Sequence, residues 1–97
     1  MSKPGYLIVD ARSSSPEAMA RYRDLAQMAV EKFGGCYRVR GGAYEVLEGE
    51  WRPDRLVVVE FESMEKARAF YDSPEYAEAR QARAGVSDFQ MLLVEAY

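Results

Sequence analysis

Two uninterrupted apolar runs, Leu56-Val57-Val58-Val59 and Met91-Leu92-Leu93-Val94, constrain this chain more than any other feature. Side chains of a strand point alternately to its two faces, so a β run without a polar interruption asks for cover on both. Both runs are too short for an ordinary helix and rich in branched residues, which makes them strands. The spacing predicts strands over Arg55 to Phe61 and Asp88 to Glu95. A chain of 97 residues buries roughly two-thirds of its unfolded surface, which suits one domain over residues 1–97. Cover for the second sheet face must then come from elsewhere.

The rest of the chain supplies two more strands and two helical regions. Tyr6 to Arg12, after Gly5, is a branched and aromatic run that predicts a first strand. Ser15-Pro16-Glu17 then carries an N-cap, a proline at the first helical position and an acid at the positive end of the dipole. Met19, Tyr22, Leu25, Ala26, Ala29 and Phe33 recur at helical spacing up to Gly34-Gly35, which ends the helix. Cys36 to Leu47 predicts a long second strand, joined by EGEWRPD to the third as a hairpin. Ser63 caps a second helical region, and Ser73-Pro74-Glu75 repeats the cap signal, so that region is bent or broken at Pro74.

The order is βαβ followed by βαβ, an α+β pattern that fits a ferredoxin-like sandwich of four antiparallel strands under two helical regions. Two helical regions cover one face of such a sheet. An apolar second face on a monomer is an association site, and we expect a homodimer with sheet facing sheet, burying on the order of 1,600 Å² in total.

Alternation also sorts the polar residues. With Val57, Val59 and Phe61 toward the helices, Leu56, Val58 and Glu60 face the open side. By the same parity Tyr37 and Val39 share the helix side, which leaves Arg38 and Arg40 on the open face, joined from the first strand by Asp10. Charges on such a face must be paired or hydrated. Two readings follow. Glu60 and Arg40 form a structural ion pair lining a wet cavity, or the arginines bind a small anionic or carbonyl-bearing ligand while Glu60 acts as general acid or base. Trp51, in the hairpin connection, packs on its own hairpin or a partner, or closes over a ligand; Tyr71 and Tyr76 flank the helical break, where packing is the default and a phenol could also donate to a ligand. Cys36 is expected to be a small buried side chain, and the five methionines to be core filler.

Arg38 to Gly42, RVRGG, is a second point of constraint. An arginine–glycine triplet suggests RNA binding in other settings, but here it occurs once, within a strand, in a chain of net charge −3 with no basic stripe, and nucleic acid is not an expected partner. Gly41-Gly42 is expected to be a bulge or bend that sends AYEVLEGEW outward as an arm over a partner subunit.

The chain holds one cysteine and no histidine, which excludes an internal disulfide and a Ser/His or Cys/His catalytic pair and leaves few metal or haem ligands. No cofactor is expected. The apolar run Tyr6–Val9 is too short for a signal peptide or membrane span, and a cytoplasmic location without membrane partners is the expectation.

The segments RVRGGAYEVLEGEWRPDRLVVVEFES, AFYDSPEY and the terminal VEAY resemble the domain of unknown function numbered 1330, of the dimeric α/β-barrel, ferredoxin-like superfamily. The resemblance spans nearly the whole chain. Glu62 stands where that family typically has proline, and Ala96 replaces a usual glycine; Glu62 could alter the start of the second helical region. The resemblance implies a homodimer with two sheets around a central cavity. Its superfamily includes cofactor-free monooxygenases, lactone isomerases, dehydratases and haem-degrading enzymes, so an activity does not follow from the fold. Glu60 matches the family's EF pair and Arg40 its arginine before Gly-Gly. Two functions stay open: a dimer that binds or transforms a small organic anion through Arg38, Arg40, Glu60, Asp10, Trp51 and Tyr71, and a structural or stress-associated dimer in which the charged cluster only stabilises the assembly.

Overall fold

A computed structural model describes residues 2–97. Its elements run β1 (Gly5–Ser13), α1 (Pro16–Lys32), β2 (Cys36–Arg40), β3 (Leu56–Phe61), α2 (Met64–Tyr71), α3 (Pro74–Ala82) and β4 (Ser87–Glu95). The strands form one sheet in the order β2-β3-β1-β4, with every neighbouring pair antiparallel. This is the ferredoxin-like α+β sandwich expected from the two βαβ halves.

The helices begin where their caps predict. The Ser15, Ser63 and Ser73 hydroxyls accept hydrogen bonds from the amides of Ala18, Lys66 and Tyr76. Pro74 does break the second helical region, separating α2 from α3. Glu62 is exposed and leaves the Ser63 cap intact, so the departure at that position does not displace the start of α2.

Helices cover one face. Leu7, Val9 and Ala11 of β1 and Val59 and Phe61 of β3 are buried beneath them, against Met19, Ala26, Ala29 and Val30 of α1 and Phe70, Tyr76 and Ala79 of α2 and α3. Not every methionine fills this core, since Met28 is 67% exposed. On the opposite face lies a row of cross-strand partners running through all four strands: Val39 opposite Val58, Val58 opposite Ile8, and Ile8 opposite Leu92. Val39 is 37% and Leu92 57% exposed. The apolar runs therefore do place hydrophobic side chains on a face that the helices leave uncovered.

Two expectations for β2 are corrected. The strand ends at Arg40, not Leu47: residues 41–55 are irregular, and Gly41 turns the chain with φ 72°. Secondly, the irregularity in pairing lies at Arg38, between Tyr37 and Val39, and not at the glycine pair. One extra residue in a strand reverses the facing of all that follow it. Val39 thus pairs with Val58 on the open face and Arg40 with Val57 on the helix face, the opposite of what uninterrupted alternation predicts.

Candidate functional site

The six residues singled out from the sequence fall into separate places. Arg38 and Glu60 meet on the open face, where the Arg38 Nε donates to Glu60 Oε1 at 3.1 Å. Both side chains reach solvent, and an ion pair so exposed contributes about 0–1 kcal/mol. The predicted partner of Glu60, Arg40, is on the other side of the sheet because of the bulge. Asp10 does face the open side with Glu60, but Glu60 pairs with Tyr6, four residues along β1, which is roughly 13 Å of strand. Its carboxylate is engaged in holding the irregular segment, accepting from Trp51 Nε1 at 3.2 Å and from the Asp54 amide at 3.0 Å. Trp51 is thus tethered to β1 through its indole N–H, while the residue as a whole is 60% exposed. Tyr71 lies in the helical layer, stacked 5.6 Å from the Tyr76 ring, with its hydroxyl accepting from Arg80 Nη1 at 3.5 Å. Cys36 is exposed on the edge strand opposite Glu60, not buried as expected.

A different constellation forms on the helix side. Between the sheet and α1 lies a cavity of about 40 Å³, floored by apolar residues of β1 and β3 and roofed by Met19, Tyr22, Ala26 and Val30 of α1. Three arginines line it: Arg23 from α1, Arg40 from β2 and Arg55 just before β3. Among the described residues none of the three has a carboxylate within salt-bridge distance, and no carboxylate lines the cavity. The Arg40 guanidinium lies over the Tyr37 ring at 4.2 Å, a stacked arrangement that leaves its N–H groups free at the edge. Arg55 runs across Gly41, where a Cβ would collide with its guanidinium. The glycine is required there twice over, for its positive φ and for this approach.

Two tyrosines share the cavity wall but differ in commitment. The hydroxyl of Tyr22 is paired with that of Tyr76 at 2.7 Å, and its ring meets Phe89 edge-on at 5.1 Å. Burial, then the neighbouring Tyr76, pushes the Tyr22 phenol far above the usual tyrosine range; burial likewise raises Tyr76. Tyr37 is also raised by burial, with Arg40 pulling in the opposite sense. All three are neutral phenols at pH 7.

Parity held the signal for part of this site. Alternation that turns Val57 and Val59 toward the helices also turns Arg55 there, and Arg23 adjoins Tyr22 on the apolar stripe of α1. The facing of Arg40 had no such signal, because it depends on the bulge. Tyr37 lies on the helix side as its parity predicts.

No cluster of three or more side chains able to hold a metal ion occurs among the described residues, and none of the described helices is long and apolar enough to cross a membrane.

Comparison with known proteins adds the following. The family model described as Domain of unknown function (DUF1330) matches residues 4–97. No curated protein matches the chain in sequence. Among solved structures, a protein of unknown function from Rhodopseudomonas palustris aligns with a TM-score of 0.77 at 20% identity, covering 100% of this chain and 85% of its own. A conserved protein from Bacteroides thetaiotaomicron, described as a possible oxidoreductase, aligns at 0.66 and 16% identity over 99% of this chain and 100% of its own. A dimeric ferredoxin-like protein of unknown function from Jannaschia sp. aligns at 0.66 and 14% identity, over 96% and 99% respectively. At these identities the likeness concerns the fold.

Proposed function

Because the chain belongs to the DUF1330 family, whose fold recurs in a protein described as dimeric, we propose that it is a homodimer that binds a small organic anion between its sheet and helices, with Arg23, Arg40 and Arg55 holding the negative charge. The observation that carries the anion is the arginine triad. Three arginines without a carboxylate partner border one otherwise apolar cavity, and like charges gathered at its margin favour an anion or water between them. Guanidinium groups also match a carboxylate with paired N–H donors. The apolar floor suits a short hydrocarbon body.

In this reading Arg40 keeps the anion-binding role expected from the sequence, whereas Arg38 and Glu60 belong to the open face and pair with each other. Within one protomer, Glu60 cannot serve a ligand held by Arg40, because the sheet separates them. The open face is the dimer seam. Its apolar row supports a second copy as the occupant, since an isologous contact sets Val58, Ile8 and Leu92 against the same residues of the partner.

Thermal unfolding with a panel of short carboxylic acids tests the anion site. A ligand present at a hundred times its Kd stabilises by about 2.7 kcal/mol, roughly 10 °C or more in Tm for a domain of this size. Changing Arg40→Ala together with Arg55→Ala should remove the rise, since each charged hydrogen bond lost costs about 1.5–3 kcal/mol. A panel without any shift, or a double variant that responds like the parent, would return the protein to the purely structural reading.

A further inference from the structure

We propose that the anion site selects short-chain 2-oxo and 2-hydroxy carboxylic acids, and that Tyr37 is the residue that reads the oxygen beside the carboxylate. The inference rests on the arginine-triad reading and deepens it. Three observations carry it.

The first is an available donor. Of the two tyrosines that line the cavity, Tyr22 spends its hydroxyl on Tyr76 at 2.7 Å, whereas the Tyr37 hydroxyl has no hydrogen-bond partner among the described residues. Tyr37 is half-buried and its hydroxyl is not sealed from solvent, so in the free protein it donates to water and can exchange that water for a ligand oxygen. The second is position. The bulge at Arg38 puts Tyr37 and Arg40 on the same face, with the guanidinium 4.2 Å above the ring. A carboxylate on Arg40 therefore lies beside the phenol, and the atom one bond further along a bound acid is the one within its reach. The neutral phenol donates to an acceptor oxygen, so a carbonyl or hydroxyl at that position is favoured. A 2-ammonium group is not, because it offers only donors and adds a positive charge to three guanidinium groups. The third is the lining. Leu7, Val9, Met19 and Val57 wall the cavity around the arginines, and the roughly 40 Å³ open to the centre of a water molecule exceeds the roughly 10–15 Å³ that one water needs on that measure, so a short apolar tail fits beside the carboxylate.

Calorimetric titration of the intact protein with four acids of one length, 2-oxobutyrate, 2-hydroxybutyrate, butyrate and 2-aminobutyrate, tests this. The parent should bind 2-oxobutyrate about tenfold more tightly than butyrate, the worth of one hydrogen bond, and 2-aminobutyrate more weakly than either. In Tyr37→Phe the 2-oxo preference should collapse to about unity, with an unchanged circular-dichroism spectrum showing that the fold is kept. Equal affinity of the parent for butyrate and 2-oxobutyrate overturns the inference and leaves the anion site standing, as does a preference that survives in Tyr37→Phe. Failure of all four acids to bind overturns both.

Discussion

Val58→Asp should convert the protein from a dimer to a monomer at micromolar concentration, as read by light scattering on the eluted species. Val58 is central to an apolar row on the open face, between Val39 and Ile8, with Leu92 beyond. An ionised carboxylate buried there has no partner, at a cost of several kcal/mol. The two-fold relation of the subunits imposes that cost twice, so the dissociation constant should rise by about a thousandfold or more. Because Val58 is on the face away from the helical core, the monomer should keep its secondary structure. A parent protein that scatters as a monomer, or a variant that remains dimeric, would show that the apolar row is not the seam.

Phe70→Ala is expected to be the most damaging single change to stability. Phe70 is 1% exposed and stacks against Tyr76 at 4.5 Å and Phe61 at 5.1 Å, with Phe33 edge-on at 6.4 Å. It joins α2, α3 and β3 and also lines the cavity under α1. Its removal should cost about 3–5 kcal/mol, a large share of the 5–15 kcal/mol typical of a native protein, seen as a steep fall in the midpoint of urea unfolding. The void cannot collapse easily, because it opens onto a cavity already present. An unfolding midpoint within experimental error of the parent's would mean that this aromatic cluster does not hold the helices to the sheet.

Most of the fold was legible because it rests on local chemistry. Three serine caps, two of them followed by Pro-Glu, mark helix starts at positions 16, 64 and 74, and the unbroken apolar runs mark β3 and β4. The second strand was not legible to the same depth. AYEVL has strand-like residues, but a strand needs a partner: β3 starts only at Leu56, and the preceding Pro53 has no amide to donate. The segment instead folds on itself and against β1, with the Tyr44 hydroxyl donating to the Pro53 carbonyl at 2.7 Å and Trp51 to Asp10.

The candidate site was the least legible part for a related reason. One extra residue at Arg38 moves Arg40 across the sheet, and nothing in RVRGG announces it, because bulges arise from how two strands pair and not from one strand's composition. The cluster expected from the sequence therefore divides into an exposed Arg38–Glu60 pair, an Asp10–Trp51 contact that holds the loop, and Arg40 beside two arginines brought from α1 and from before β3. Cys36 was expected inside as a small apolar side chain, but it begins an edge strand on the open side, where only a partner subunit could cover it.

Which side of the sheet meets the ligand is the claim on which the functional account depends. A titration of the isotopically labelled protein with 2-oxobutyrate, followed by amide nitrogen–proton correlation spectra, reads it directly. The account predicts that the signals of Tyr37, Arg40, Arg55 and Val57, together with those of Arg23 and Ala26 on α1, shift in a saturable way while those of Asp10, Trp51 and Leu92 stay in place. Shifts concentrated at Asp10, Trp51 and Glu60, with the α1 signals unmoved, would contradict it.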